Sequence, residues 1–229
     1  MYRHYSFDLW LTLIKSNPGF KQERACYFHK QYNSKGKSLE EVVRIFREVD
    51  LLCNAINEKT GGNITAEEMY LMVISKINDH TLSFQEIDLI ELMTKMEELL
   101  FAHLPVVYSM DTPGVLSQLK SREDVTISIL SNTGFIKGKT LRKVLDYLEL
   151  SPFFDFQLYS DELGMSKPNK AFFEQLIQQV TTHRKGSLKP GNVIHVGDNP
   201  IADIEGAKSI GIESLLINSN NVSILTLLN

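Results

Sequence analysis

Two cysteines and one tryptophan are all that 229 residues hold of those types, and no apolar run is long. Cys26 and Cys53 fit no metal-ligand spacing, and two thiols build no disulfide framework. Both are expected as reduced, half-buried helix residues. No apolar stretch with a cleavage site follows the first residues, and none approaches the ~20 residues of a membrane span. A cytoplasmic protein with no membrane partner is the expectation. Clustered Lys and Arg are scarce too. The formal net charge is -4, and the densest basic spot, "HRK" at 183–185, reads as a solvated turn. That argues against a nucleic-acid surface.

What is present has the balance of an ordinary globular protein, 43% apolar and 23% charged. The length suits one large domain or two small ones, and either buries a real core. Residues 3–13 read as a strand with Asp8 near its C-terminal end. Residues 17–103 then carry helical patterning with nameable caps. Ser38 opens the segment that "TGG" at 60–62 stops. Thr65 with Glu68, and Ser83 with Glu86, make capping boxes for the next two helices.

Beyond Pro105 the pattern alternates. "TPGVLSQLKSR" reads as a helix, "VTISILSN" as a strand rich in β-branched residues, and "KTLRKVLDYLEL" as a helix. "DFQLYS" is a short strand, "NKAFFEQLIQQVTTH" a helix, "NVIHVGD" a strand, "ADIEGAKSIG" a helix and "ESLLIN" a last strand. Such alternation implies βαβ units and a parallel sheet. The fold expected is α/β, a doubly wound, Rossmann-like parallel sheet interrupted after its first strand by an all-helical insertion. The boundaries expected are 1–15 and 105–229 for the α/β core and 16–104 for the insertion.

Side chains just past the C-terminal ends of parallel strands converge on one crevice. Asp8, Ser131 with Asn132, and Asp198 stand at such ends, Asp203 follows at a helix start, and Lys167 lies in a loop just before Pro168, which is expected to start the next helix. Singly these are caps, turns and solvated charges; their order and setting make the case. Three carboxylates in one crevice repel unless a cation sits among them, and magnesium suits oxygen-only ligands while leaving room for phosphate. An incoming phosphate would meet Lys167, the Ser131 hydroxyl and backbone amides, with Asp8 aimed at phosphorus as a nucleophile.

These segments resemble the haloacid dehalogenase-like hydrolase superfamily at both ends of the chain. "YSFDLWLTL" resembles its first motif, "ISILSNT" the second, "SDELGMSKPNKAFF" the third and "IHVGDNPIADIEGAKSIGI" the fourth. The helical insertion resembles the cap that many members carry. The resemblance implies Asp8 as nucleophile, Ser131 and Asn132 as phosphate-binding residues, and Lys167 as the charge steadying nucleophile and phosphate. It implies a magnesium site of Asp8, Asp198, Asp203 and the backbone carbonyl of Trp10. The substrate it implies is a small phosphorylated metabolite.

"GFIKGKT" at 134–140 is a decoy for a nucleotide P-loop. Thr133 occupies the first glycine position and the loop from Gly134 is one residue short, so a plain strand-to-helix turn with a solvated Lys139 is expected. Trp10 is the departure that matters. Phosphatases of the superfamily usually carry a second Asp two residues after the nucleophile, as acid and then base, and an indole N–H does neither job. Leu11 also stands where the family commonly has Gly. Three readings compete: a magnesium-dependent phosphohydrolase lacking the usual acid, a 2-haloacid dehalogenase, whose branch has an aromatic residue here, and a metal- or phosphate-binding module without turnover. Asp198 and Asp203 favour the first, because dehalogenases need no metal and usually lack this pair. His29 and His80 are candidate replacement acids.

The insertion's apolar stripes (Val42, Val43, Ile45, Phe46, Val49 and Leu52 on one helix, Met69, Met72, Val73 and Ile77 on another) are expected as its own core, or in part as a dimer face. Lys15, Lys21 and Arg24 follow the first motif. They are candidates for an anionic substrate tail, against a plainer reading as solvated surface charges.

Overall fold

The computed structural model describes residues 2–228, the Glu86 side chain excepted. Its centre is a five-stranded, all-parallel sheet in the order β5-β4-β1-β6-β7. The strands are β1 (His4–Phe7), β4 (Thr126–Ser131), β5 (Phe156–Tyr159), β6 (Val193–Gly197) and β7 (Glu213–Leu216). The first strand lies in the middle, so Asp8 leaves the sheet between the ends of β4 and β6. It is shorter than its apolar run suggests: Asp8 and the turn after it are already outside the ladder.

Alternation sorts β1 into two faces. Tyr5 and Phe7 enter one apolar cluster with Ile127, Ile129, Ile194 and Val196. His4 and Ser6 face the other way into a polar seam. His4 bridges Thr126 Oγ1 at 2.8 Å and Ser128 Oγ at 2.9 Å, and Ser6 Oγ shares a hydrogen bond with His195 Nδ1 at 2.9 Å. These groups are buried and paired across the sheet, as burial of polar atoms requires. Helices flank both faces: α5 (Thr112–Lys120) and α6 (Gly138–Tyr147), α8 (Lys170–Arg184), and the short α7 (Ser160–Leu163) and α9 (Gly206–Lys208).

The insertion holds α1 (Pro18–Gln31), α2 (Leu39–Thr60), α3 (Ala66–Ile77) and α4 (Leu89–Ala102). The Ser38/Glu41 and Thr65/Glu68 capping boxes both form, and Gly61 ends α2 at a φ of 71°. Val42, Ile45, Phe46, Val49, Met69, Val73 and Ile77 are buried together in its own cluster, whereas Val43 and Leu52 are exposed. Cys26 is half-buried and Cys53 buried, both free.

Several expectations need correction. Ser83 caps only a 3-10 turn, Phe84–Glu86; α4 starts at Leu89 because the Asp88 carboxylate accepts from both Ile90 N and Glu91 N at 2.9 Å. Pro168 does not begin the next helix, since Asn169 caps α8 from outside it. The helix expected after Asp198 is a π-turn, Pro200–Glu205, followed by the three residues of α9. The "HRK" turn is not all solvated: the Arg184 side chain is 9% exposed and pairs with Asp124. Lys139 is exposed and the decoy loop is a turn leading to α6.

The two connections to the insertion pair with one another. β2 (Ile14–Lys15) and β3 (Val106–Val107) form a small antiparallel ladder, too short to show as a periodic pattern. The loop between α2 and α3 also docks on the α/β part. Ser166 N and Asn169 Nδ2 donate to Gly61 O, both at 3.0 Å, and Ser160 Oγ donates to Asn63 Oδ1 at 2.7 Å. No helix among the described residues is long and apolar enough to cross a membrane.

Candidate active site

Four loops at the C-terminal ends of β1, β4, β5 and β6 bring Asp8, Ser131, Lys167, Asp198 and Asp203 into one place. Lys167 Nζ donates to Asp8 Oδ1 at 2.7 Å and to Asp203 Oδ1 at 2.5 Å. Ser131 Oγ donates to Asp8 Oδ1 at 3.0 Å, and Thr12 Oγ1 donates to Asp8 Oδ2 at 3.2 Å. Carboxylate oxygens of Asp8, Asp198 and Asp203 all lie within 4.8 Å of one another.

Asn132 works through backbone. Its amide nitrogen donates to Lys167 O at 3.0 Å while its Oδ1 accepts from Lys167 N at 2.7 Å. This double contact fixes the third loop and so aims the lysine. Asp203 is equally braced: Oδ1 shares His195 Nε2 at 3.1 Å, and Oδ2 accepts from Asn199 N at 3.0 Å. Gly197 is required here, because a Cβ on it would fall 2.1 Å from Asp203 Cγ.

The electrostatics follow from burial. Lys167 is held above its ordinary value: burial works against its charge, but Asp203 and Asp8 outweigh it. Asp203 goes down, since Lys167 and His195 overcome the upward push of burial. Asp8 goes up, driven by burial and then by Asp203, with Lys167 only partly compensating. Asp198 is pushed up to about 7 by burial and then by Asp8 and Asp203. With all three carboxylates ionised, one lysine leaves two negative charges, which a divalent cation would match and whose repulsion, together with burial, raises Asp8 and Asp198 in its absence. An all-oxygen donor set of this kind suits a hard ion such as magnesium.

A cleft of about 610 Å³ runs from these residues up between the core and the insertion. Trp10, Leu11, Lys21, Arg24 and Phe46 line it; Lys15, His29 and His80 do not. His80 bonds instead to Ser75 at 2.8 Å on the exposed surface. Lys15 lies 5.3 Å from the Tyr108 ring. Arg24 is no solvated charge: it is 7% exposed. Sequence reasoning missed His195, Thr12 and Asn199, and the burial of Arg24. Only the last had a readable signal, since Phe20, Arg24 and Phe28 fall at i, i+4 and i+8 on one helix face.

Residues 2–211 match the haloacid dehalogenase-like hydrolase family, and the chain belongs to that family of hydrolases. It is 31% identical over 110 residues to the pyrimidine 5'-nucleotidase YjjG of Escherichia coli, over 48% of this chain and 45% of that one. The match thus spans under half the length of that relative. Among solved structures it resembles the HAD-hydrolase YfnB of Bacillus subtilis, solved bound to magnesium. That likeness has a TM-score of 0.69 at 20% identity, covering 97% of this chain and 91% of the other. It also resembles a 2-haloacid dehalogenase of Pseudomonas syringae, with a TM-score of 0.64 at 18% identity, covering 97% and 89%. At such identities the likeness is one of fold.

Proposed function

We propose that this chain is a cytoplasmic, magnesium-dependent phosphohydrolase of a small phosphorylated metabolite, acting through an aspartyl-phosphate on Asp8. One observation carries the reading: three carboxylates and one buried lysine share a crevice at the C-terminal ends of the central strands, a set with two negative charges in excess when the carboxylates are ionised. A dehalogenase has no use for that excess, and retaining it without a cation destabilises the fold. The nucleotidase relative acts on a phosphate ester, in keeping with this reading. The two free thiols suit a reducing compartment.

Asp8, Asp198, Asp203 and the Trp10 carbonyl would hold the magnesium, which when bound neutralises phosphate charge as a Lewis acid. An Asp8 oxygen bonds to phosphorus while the ester oxygen departs with the bonding pair. Lys167 and Ser131 hold Asp8 Oδ1 and steady the transferring phosphoryl group. Asn132 fixes Lys167. Water then attacks the aspartyl-phosphate, releasing phosphate and restoring the carboxylate. The insertion, over residues 16–104, acts as a separate cap that excludes water and selects the substrate.

The test is to incubate the purified protein with phosphate esters, acyl phosphates and 2-chloropropionate, each with and without magnesium. Phosphate release that needs magnesium is expected. Halide release without metal would make it a dehalogenase, and silence toward all of them would make it a binding module.

A further inference from the structure

Arg24 is a buried cation without an anion. It sits on α1, 7% exposed, and no ion pair among the described residues involves it. Its Nε is fully buried with no hydrogen-bond partner. Around its guanidinium carbon stand the rings of Phe46 at 4.2 Å, Phe135 at 4.5 Å and Phe20 at 5.2 Å. Ring faces attract the charge but offer no lone pairs to the in-plane N–H donors. Among the side chains of the described residues only the Tyr70 hydroxyl, a neighbour of Arg24, and Thr112 Oγ1 are likewise buried without a partner, so this gap calls for an explanation.

The place of the gap supplies one. Arg24, Phe46 and Phe135 line the same cleft as Asp8 and Lys167. The cleft's other cap-side charges differ from Arg24: Lys21 is exposed, Arg47 pairs with Asp50 at 3.2 Å, and Glu58 accepts from Asn199 at 2.8 Å. Phe20 and Phe46 belong to cap helices, whereas Phe135 comes from the core loop just after Ser131 and Asn132. The aromatic box around Arg24 is therefore complete only with the cap seated.

We propose that Arg24 receives a second anionic group, a carboxylate or a second phosphate, at the far end of the substrate whose first phosphate meets Asp8. This rests on the phosphohydrolase reading and names the class of substrate within it. The planar guanidinium fork matches either anion through paired hydrogen bonds, and a dry aromatic setting strengthens them. A phosphate ester with a neutral tail leaves those donors unmet and binds worse.

The test compares matched substrates on the full-length protein: phenyl phosphate with 4-carboxyphenyl phosphate, and fructose 6-phosphate with fructose 1,6-bisphosphate. A preference within one pair shows which anion is taken. Hydrogen bonds to a charged group predict a KM lower by roughly 10–100-fold for the member that carries the second anionic group. Arg24→Met should erase that ratio and Arg24→Lys keep part of it. The proposal is overturned if wild type treats both pairs alike, or if Arg24→Met weakens both members equally. Should the variant not fold, the wild-type ratios decide alone. If no phosphate ester is hydrolysed, the phosphohydrolase reading fails separately. Arg24 is then judged by melting shifts with the same pairs: a larger shift for a member with the second anionic group upholds it, and equal shifts refute it.

Discussion

Asn218 clamps the strained turn at Leu11. Its amide nitrogen donates to Leu11 O at 2.7 Å and to Thr12 O at 3.1 Å, across more than two hundred residues of sequence. Leu11 itself has a φ of 59°, the left-handed region that suits glycine, and its side chain is 52% exposed. The left-handed conformation costs a non-glycine residue about 1–2 kcal/mol, of which glycine's extra unfolded freedom cancels about 0.5–1. Leu11→Gly should therefore stabilise by roughly 0.5–1 kcal/mol, read as a higher urea midpoint at unchanged slope. Asn218→Ala should lower the midpoint.

Asp198 gives a prediction of opposite signs. Without metal, Asp198→Asn removes a carboxylate that Asp8 and Asp203 repel, so the variant should melt at or above wild type. With millimolar magnesium wild type should gain stability by linkage while the variant gains little. Equal gains in both would exclude Asp198 from a metal site.

Trp10 removes the usual acid and base two residues after Asp8. General acid-base help is worth roughly 10²–10⁴-fold, so hydrolysis of the aspartyl-phosphate should become rate-limiting. An aryl phosphate, whose leaving group needs no proton, should give a burst of one equivalent, a trappable adduct on Asp8 and slow turnover. Trp10→Asp should speed the slow phase. Rapid alkyl phosphate cleavage without an adduct would show that another group supplies the proton.

His4 predicts an acid-sensitive sheet. Burial, only partly offset by Asp155, pushes its pKa down from 6.5 to about 3. Below 6.5 the unfolded chain therefore binds a proton that the folded chain refuses. Its share of stability is full above pH 6.5 and is lost as pH falls toward 3, by up to roughly 3–5 kcal/mol. His195, also shifted down by burial, steepens the same limb. His4→Asn should flatten the fall in unfolding free energy between pH 6 and 4 by about 1.4 kcal/mol per pH unit.

The cap boundary is tested by excision. Replacing residues 16–104 with a short Gly-Ser linker strips cover from Phe135, which is 8% exposed in the cap's own cluster. With Phe135→Ser added, the α/β part should unfold cooperatively in denaturant and discriminate poorly among substrates. Aggregation despite that change would mean the boundary is misplaced.

The site was legible because strand ends are written locally. "TISIL" and "VIHVG" announce buried strands, and the polar residues after them then share an edge by topology alone. What was not legible depends on contacts between distant segments. Nothing near Asn132 says that its amide will grip Lys167. No period of two can show in the two-residue strands that join Ile14–Lys15 to Val106–Val107. The Ser83 signal was real but local, and Asp88 outcompeted it with two donors. Leu11 broke the rule that a left-handed turn takes glycine, and its clamp lies at the other end of the chain.

Because Trp10 is the only tryptophan and lines the cleft beside Asp8, the protein carries its own optical probe. Excitation at the red edge of indole absorption reports one side chain, half-buried against the sheet's apolar cluster. Its emission will move with water content in the cleft, so cap seating and ligand arrival can be followed in a stopped-flow instrument without a label. The substitution that takes away the usual acid makes the site directly visible.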